Sequence, residues 1–441
     1  MVFALNNKSL KYRLSKLGQI LFFIGIFFLP STIFIASLFL LPAAILSTFL
    51  NKKDYLKDNW NNLFLTCGAL MILTVLLQVY VLKNLYFDIW DSNLSLIGLA
   101  NWIPYFWLFW SFQPYLKDQK KRKNSSLVAI SGTLPLLISG FGQYFFDWNG
   151  PWSTLNGLII WFQKPLSQND GLTGLFSNPN YTGSWLLFIW PFCIAFFLIK
   201  TQNYFKKTIA ICFLTSVGTA AFLTNSRNAW GGLFMTVPIV LGTESFIWIG
   251  SILIIIFFII SICVLPVFEG ELQNFIRLII PEKVWLEFSK KGFEYLDVTR
   301  MQIFLSSIKI SILRPIFGIG ASSFTTIYLL RNGIWRGHSH NLIIELSISY
   351  GIPIAIFLTS IILCLLFKSG KLLFFSEEKH DNDLFDKAWW ASIFIFSISQ
   401  LVDIQYFEGR ISIFTWILLS GIKKIIDEKN EYSTIKQVNK T

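Results

Sequence analysis

Two of the chain's three histidines lie two residues apart, at His338 and His340. They belong to the segment Trp335-Arg-Gly-His-Ser-His-Asn341, which comes directly before a long apolar run. A histidine can accept a proton from a hydroxyl group near neutral pH, so the pair suggests a general base. The His-x-His spacing could also hold a metal ion, but the sequence offers no evident third ligand. Surface histidines are the plainer interpretation, and His380, in a charged segment, is expected to be inert.

Several arginines could bind an anion beside these histidines. Arg227 lies in the short segment Thr224-Asn-Ser-Arg-Asn-Ala-Trp-Gly-Gly232, between two apolar runs. Charge this close to hydrocarbon is costly unless it has a partner or a function, and the planar guanidinium group fits phosphate oxygens. Arg300 and Arg336 lie further along the chain, ahead of the histidines. Taken alone, Arg227 is explained as an arginine whose side chain extends to the membrane surface. Several arginines together with a histidine base instead suit a reaction with a phosphate leaving group and a hydroxyl nucleophile.

Three further segments have the residue types of turns and helix ends. The first, Gly174-Leu-Phe-Ser-Asn-Pro-Asn-Tyr-Thr-Gly183, combines Asn-Pro with glycines, which is typical of a turn followed by a helix cap. Residues 297–313 have apolar positions at mixed helical spacing and predict an amphipathic helix on the membrane. Gly318-Ile-Gly320 follows Arg314-Pro315, and a turn explains this segment better than a phosphate-binding loop.

The composition indicates a membrane protein. Of the 441 residues, 54% are hydrophobic and 14% are charged, whereas a typical soluble domain has about 25% charged residues. The five cysteines lie in apolar runs without Cys-x-x-Cys spacing or a neighbouring histidine, so we expect apolar packing and neither disulfides nor zinc binding. The first apolar stretch is too long for a cleaved signal peptide and is expected to anchor the chain in the membrane.

Stretches of about 20 mainly apolar residues predict membrane-spanning helices. We expect an all-α polytopic membrane protein with about twelve spans and one large loop that contains helices on the outer face. A break at Pro30-Ser31 should form a hairpin of the first two spans. The predicted spans are 17–31, 32–50, 62–82, 93–115, 125–146, 180–200, 208–223, 229–242, 246–268, 341–367, 387–405 and 411–424.

The distribution of Lys and Arg predicts the orientation. Alternate segments between spans hold 24 of the 37 basic residues, and the positive-inside rule places these segments, with both termini, in the cytoplasm. The net charge of +12 then reflects this bias and anionic lipid headgroups, and it requires no nucleic acid as a partner. We expect a single membrane domain over 1–441. It would comprise nine spans over 17–268, a large outer loop over 269–340, three spans over 341–425 and a cytoplasmic tail over 426–441.

Together, the motifs resemble those of the O-antigen ligase and polymerase superfamily of bacterial membrane glycosyltransferases. The resemblance covers roughly residues 170–425, and Phe304 stands where many relatives have tryptophan. The matching motifs are Asn178-Pro-Asn180, Ser226-Arg-Asn-Ala-Trp230, Arg300 ahead of Pro315-Ile-Phe-Gly-Ile-Gly320, His340-Asn-Leu342 with Glu345 and Gly351, and, more weakly, Gln400-Leu-Val-Asp403 and Arg410.

The resemblance implies glycan transfer from a polyprenyl (undecaprenyl) diphosphate carrier to an acceptor hydroxyl, with inversion and without a metal or other cofactor. The acceptor would be lipid A core or a growing glycan, at the periplasmic face of the inner membrane. His340 would be the general base, and Arg227 and Arg300 would hold the diphosphate and stabilise its developing charge. His338 stays open as the base, and Arg314, Arg331 or Arg336 as the second phosphate clamp. Expected substrate-binding residues are Asn178, Asn180, Ser226, Arg336, His338 and Asn341.

Two other functions stay open from the sequence. Some members of the superfamily have been proposed to take up inorganic carbon, which would make the chain a transporter. Transport sites lie near the bilayer midplane and are often marked by charges there, whereas the basic residues of this chain lie between or beside the spans. A metal-dependent mannosyltransferase-like enzyme would instead use an acidic pair in an early outer loop. Asp88 and Asp91 are the candidates, and both are more simply explained as residues that keep the loop soluble.

Overall fold

A computed structural model describes residues 2–82, 90–167, 170–200, 203–242, 245–280, 285, 300–375 and 383–438. Within these residues the chain is predominantly helical, which confirms the all-α prediction. The structure also contains a short antiparallel hairpin of β1 (Trp152–Thr154) and β2 (Ile159–Trp161), which the sequence did not predict. Asp88, His380 and the first three residues of the predicted helix over 297–313 lie outside the described residues.

The helices follow one another with short connections in most of the chain. The first nine are α1 (Val2–Phe28), α2 (Ile33–Asn51), α3 (Asn59–Tyr80), α4 (Asn93–Gly98), α5 (Ile103–Ser111), α6 (Gln119–Gly132), α7 (Leu134–Phe146), α8 (Pro179–Leu198) and α9 (Tyr204–Leu223). Those that follow are α10 (Arg227–Leu241), α11 (Ser245–Val264), α12 (Glu271–Ile279), α13 (Arg300–Ser311), α14 (Ser323–Asn332), α15 (Leu342–Tyr350), α16 (Ile352–Phe374), α17 (Leu384–Ser399) and α18 (Gly409–Val438).

Helix ends coincide with residues that cap or interrupt a helix. Asp58 accepts hydrogen bonds from two backbone N–H groups at the start of α3, and Asp118 accepts one at the start of α6. Such side chains satisfy N–H groups that have no partner inside the helix. The α1–α2 hairpin turns at Pro30-Ser31, as predicted, because proline cannot continue the hydrogen bonding of the first helix. Within the predicted helix over 297–313, residues Arg300–Ser311 are helical.

Among the described residues, six helical stretches are long and apolar enough to cross a membrane, judged by length and composition. They are Ile33–Lys57, Asn59–Tyr80, Gln119–Phe146, Pro179–Leu198, Tyr204–Leu223 and Ile352–Phe374. They confirm the membrane-helix character of the chain, while the number of about twelve spans stays a prediction. The predicted spans over 93–115 and 341–367 are each divided between two helices.

Helix α6 begins six residues before the predicted span over 125–146 and therefore includes Arg122. The sequence placed this residue in a basic segment between spans, but the Arg122 side chain is only 1% exposed. It contacts Asp386 of α17 at 2.7 Å and Glu428 of α18 at 2.5 Å. Lys429 pairs with Asp383 at 2.8 Å beside it. We call these five residues the ion-pair end, because they join the starts of α6 and α17 to the last part of α18.

An aromatic cluster holds α18 inside the bundle. Trp416 of α18 is buried and lies edge-on against Phe64 of α3 and Phe106 of α5, with both pairs of ring centroids 5.2 Å apart. Edge-to-face packing is a favoured arrangement of aromatic rings. The start of α18, and the loop that precedes it, therefore have a fixed position.

The break between α15 and α16 requires glycine. Gly351 has a φ of 93°, and a Cβ atom there would lie 2.0 Å from the carbonyl oxygen of Ile316. The backbone N–H of Ile352 donates to the carbonyl of Pro315 at 2.7 Å, so the segment before α14 docks against the break. The turn lies at residues 315–317, directly before Gly318-Ile-Gly320, and both of these glycines have positive φ. These contacts fix α15, and with it the loop of the two histidines.

Candidate active site

His340 forms a hydrogen-bonded pair with Asp403. Nδ1 of His340 lies 2.7 Å from Oδ1 of Asp403, 63 residues further along the chain. Asp403 is 6% exposed, whereas His340 is partly open to solvent. A carboxylate beside Nδ1 favours the tautomer that carries its proton there, which leaves Nε2 free to accept a proton. The pair therefore has the arrangement of an oriented general base.

The loop before α15 holds His340 in a strained conformation. Its φ is 57°, in the left-handed region, which costs an L-amino acid roughly 1–2 kcal/mol. The next residue, Asn341, caps α15 by accepting hydrogen bonds from two N–H groups of its first turn, each of 3.1 Å. Buried Glu345 accepts a hydrogen bond of 2.9 Å from the backbone N–H of Ser339. The loop is therefore anchored on both sides of the histidine, as expected where strain is kept at a functional residue.

Gln400 shapes the loop that carries Asp403, between α17 and α18. Its Oε1 accepts hydrogen bonds from the backbone N–H groups of Gln405 and Tyr406, at 3.0 and 3.1 Å. Its Nε2 donates to Oε1 of Gln405 at 3.0 Å, and its carbonyl accepts from the N–H of Leu342 at 2.9 Å. Buried Gln400 thus connects the loop of Asp403 to the helix that follows His340.

The Asn178-Pro-Asn180 segment reaches the same carboxylate. Nδ2 of Asn180 donates to Oδ2 of Asp403 at 3.2 Å, so the two oxygens of Asp403 are shared between Asn180 and His340. Asn178 accepts a hydrogen bond of 2.8 Å from the backbone N–H of Asn180 and caps α8. Asn178 therefore has the capping role that its residue type suggested, and Asn180 belongs to the site.

His338 packs directly against the pair. Its ring centroid is 4.4 Å from that of His340, and its Nδ1 accepts a hydrogen bond of 3.2 Å from the backbone N–H of His340. Its Nε2 lies 3.9 Å from Oδ1 of Asp403. Burial and the charges of His340 and Arg300 lower the pKa of His338 to about 4, although Asp403 opposes them. His338 is therefore neutral at neutral pH, and His340 has the shorter contact with the carboxylate.

The surroundings of Asp403, which lies beyond the end of α17, favour its ionised form. Burial opposes ionisation, but the hydrogen bond with His340 and the charges of His340, His338 and Arg300 outweigh it and lower the pKa of Asp403. An ionised Asp403 stabilises a protonated His340. The pair can therefore hold a proton that His340 takes from a substrate.

The arginines singled out from the sequence take different positions. Arg300 starts α13, is exposed, and acts electrostatically on both His338 and Asp403. Arg227 is the first residue of α10 and is also exposed. Arg336 is half-buried in the histidine loop, where its Nε has no hydrogen-bond partner among the described residues. The charge of Arg300 therefore acts on the site of the two histidines and Asp403.

Ser226 packs at the junction of α10 and α8. It is buried, and its hydroxyl makes no capping bond to α10. A Cβ atom on Gly183 of α8 would lie 3.3 Å from Cβ of Ser226 and 3.0 Å from Cβ of Ala229. This close approach places the start of α10, with Arg227, beside the first turns of α8, which carry Asn180.

An apolar cleft of about 220 Å³ lies beside the site, among α15, α16, α17 and α18. Leu342 and Leu401 line it near the histidine loop, and Leu366 and Leu419 line it further along the helices. A cleft with such walls suits a hydrocarbon chain better than a sugar.

His338, His340 and Asp403 also meet a geometric condition for binding a metal ion. One potential ligand atom from each lies within 4.8 Å of the other two. Asp403 provides the third potential ligand, which was not evident from the sequence.

The pairing of Asp403 with His340 was missed in the sequence, although the motif of Asp403 was noted. A buried aspartate between two apolar runs needs a partner, and this requirement was the available signal. Arg410, from the same weak motif, instead holds the fold together. Its Nε contacts Oε1 of Glu408 at 2.6 Å, and its Nη1 donates to the carbonyl of Leu175 at 3.0 Å.

Residues 209–359 match the family model described as O-antigen ligase. The match confirms the resemblance inferred from the motifs. It includes Arg227, Arg300 and both histidines of the site, whereas Asn180 and Asp403 lie outside it. No curated protein matches the chain.

Proposed function

We propose that the protein transfers a glycan from a polyprenyl diphosphate carrier to an acceptor hydroxyl, as in O-antigen ligation to lipid A core or polymerisation of repeat units. The observation that carries this proposal is the His340–Asp403 pair, whose histidine lies within the residues that match the O-antigen ligase model. The match by itself supports the coarser statement that the chain has O-antigen-ligase-type glycan transfer as its chemistry. The apolar cleft beside the pair suits the hydrocarbon end of a lipid-linked donor.

In the proposed reaction, Nε2 of His340 takes the proton of the acceptor hydroxyl as its oxygen attacks the anomeric carbon. The bond from that carbon to the diphosphate breaks on the opposite face, so the configuration inverts and the diphosphate leaves on its carrier. Ionised Asp403 stabilises the protonated imidazole. Arg300 and Arg227 neutralise the charge that develops on the leaving diphosphate, in place of a metal ion.

The proposed site faces the periplasm from the inner membrane. Arg410, at the start of α18, lies near the loop of Asp403, and Glu428 of the ion-pair end follows 18 residues later, which corresponds to ~27 Å along a helix. The ion-pair end includes residues of the basic segments that the positive-inside rule assigns to the cytoplasm. This separation supports an outer site with both termini in the cytoplasm.

A reconstituted assay tests the proposal. Purified protein in proteoliposomes, given polyprenyl-diphosphate-linked glycan and an acceptor, should release polyprenyl diphosphate and form the glycosylated product. Arg300→Gln should lower turnover by about 10²–10³-fold, as for the loss of one transition-state donor. Arg277→Gln is the control, because this guanidinium is occupied by the carbonyl of Cys263 at 2.9 and 2.6 Å.

Solute flux into the proteoliposomes without any glycan transfer would contradict the proposal and favour a transporter. The glycolipid profile of a deletion strain separates the two transfer reactions. Loss of all long chains indicates a ligase, and capping with a single repeat indicates a polymerase.

A further inference from the structure

The side chains of His338, His340 and Asp403 converge on one point. Nδ1 of His340 lies 2.7 Å, and Nε2 of His338 lies 3.9 Å, from the same oxygen of Asp403. One potential ligand atom from each residue lies within 4.8 Å of the others. The two imidazole side chains are 29% and 26% exposed, so an ion and its remaining water ligands could enter from solvent.

We propose that this cluster binds a transition-metal ion of the Zn²⁺ class, and that the bound ion inhibits transfer. Two imidazoles and one carboxylate form a donor set that suits Zn²⁺, whereas Mg²⁺ and Ca²⁺ prefer oxygen ligands. The inhibition rests on the proposed function, but the binding site rests on the geometry of these three side chains.

The two distances to Asp403 must change only slightly for the ion to bind, whereas the two imidazole ligand atoms, which lie within 4.8 Å of each other, must approach by up to ~1.5 Å. Ligands about 2.0–2.1 Å from a tetrahedral Zn²⁺ are about 3.3 Å apart. The distance of 3.9 Å between His338 and Asp403 must close by ~0.6 Å, and the 2.7 Å between His340 and Asp403 must open by ~0.6 Å. The long hydrogen bond of 3.2 Å from the His340 backbone to Nδ1 of His338 is given up, because the His338 proton moves to that nitrogen.

The ion would replace the proton on Nδ1 of His340. While that proton is on Nδ1, Nε2 is free to act as the base. In the free site this proton lies on Nδ1, between His340 and Asp403, and Nε2 has the free electron pair. When a metal ion binds Nδ1, the proton of the neutral ring lies on Nε2, which can then no longer accept a proton from the acceptor hydroxyl. Metal binding and transfer therefore exclude each other at His340.

Calorimetric titration of the full-length, tag-free protein with ZnCl₂ alone, after treatment with EDTA, tests the site. The wild type should bind one equivalent. His338→Ala and Asp403→Asn should each weaken binding at least tenfold, because even outer-shell partners contribute ~10–100-fold to metal affinity. His380→Ala, which removes the third histidine, should bind as the wild type does. No saturable binding, or equal affinity in all four proteins, would overturn the site.

Arg300→Gln separates metal binding from transfer. The substitution removes the positive charge of the Arg300 guanidinium, which acts on His338 and Asp403. The affinity for Zn²⁺ should therefore be unchanged or higher, while transfer falls. Loss of Zn²⁺ binding in this variant would count against the site.

Saturating Zn²⁺ should lower wild-type transfer at least tenfold, and EDTA should restore it. Stimulation by Zn²⁺, or no effect at saturation, would overturn the inhibition. A protein that binds Zn²⁺ at this site but never transfers glycan would contradict the proposed function and support the metal site.

Discussion

At the scale of single residues, the distances to Asp403 favour His340 over His338 as the base. The carboxylate lies 2.7 Å from Nδ1 of His340 and 3.9 Å from Nε2 of His338. The sequence, with its His-x-His motif, left both residues open. The distinction depends on a partner 63 residues away, which local patterns cannot pair with a particular histidine.

Replacing Asp403 with asparagine should remove the charge that orients His340 while keeping the size of the side chain. We expect Asp403→Asn to lower kcat by about 10²–10⁴-fold with little change in KM, because the base is then in the wrong tautomer or orientation. Steady-state transfer by purified protein measures both constants.

The matched control is Asp170→Asn, in another loop, where the carboxylate pairs with Lys164 at 3.0 Å. It should transfer glycan at close to the wild-type rate. An Asp403→Asn protein as active as this control would remove Asp403 from the mechanism.

At the scale of secondary-structure elements, apolar runs predicted the helices well where each run forms one helix. The predicted span over 180–200 corresponds to α8, Pro179–Leu198, with Asn178 as its cap. The division at Gly351 was not predicted, because it depends on the approach of the Ile316 backbone from a distant segment. The early start of α6 was also missed. A run of basic residues resembles a solvated loop, and the sequence does not show that Arg122 has buried partners.

Gln400→Met should loosen the loop of Asp403 without changing its volume greatly. The change leaves the N–H groups of Gln405 and Tyr406 without their acceptor, and each buried unpaired group costs about 1–3 kcal/mol. We expect a lower midpoint of thermal unfolding and slower transfer. Thermal unfolding and transfer by the purified protein measure these two effects.

Gln19→Met provides the comparison, because the Gln19 amide donates a single bond of 3.2 Å to the Tyr115 carbonyl. It should lose less stability and keep its transfer rate. Unchanged transfer in Gln400→Met would show that Gln400 does not position Asp403.

At the scale of the whole molecule, the site and the ion-pair end lie at opposite ends of α18. The orientation inferred from the distribution of basic residues stays a prediction, and the sequence did not reveal that Arg122 is buried between α6, α17 and α18. The number of Lys and Arg residues in each segment predicts which segments lie on the same side of the membrane. The partners of a buried charge depend instead on packing between helices. The number of spans stays a prediction for the same reason, because several apolar runs form short or broken helices.

Arg122→Leu should destabilise the protein strongly, because it leaves Asp386 as a buried, unpaired charge. Breaking a buried ion pair typically costs about 3–5 kcal/mol, whereas replacing both partners by apolar residues costs much less. The double variant Arg122→Leu/Asp386→Leu should therefore unfold at a higher temperature than Arg122→Leu. Thermal unfolding in detergent measures the order, and the reverse order would show that the pair does not act as a unit.

The most direct test of the central claim is the turnover of His340→Ala with polyprenyl-diphosphate-linked glycan and acceptor at saturation. We expect kcat to fall by about 10²–10⁴-fold, the usual contribution of a positioned base, while the unfolding midpoint stays near that of the wild type. A folded His340→Ala protein that transfers glycan at the wild-type rate would contradict the assignment of His340 as the base.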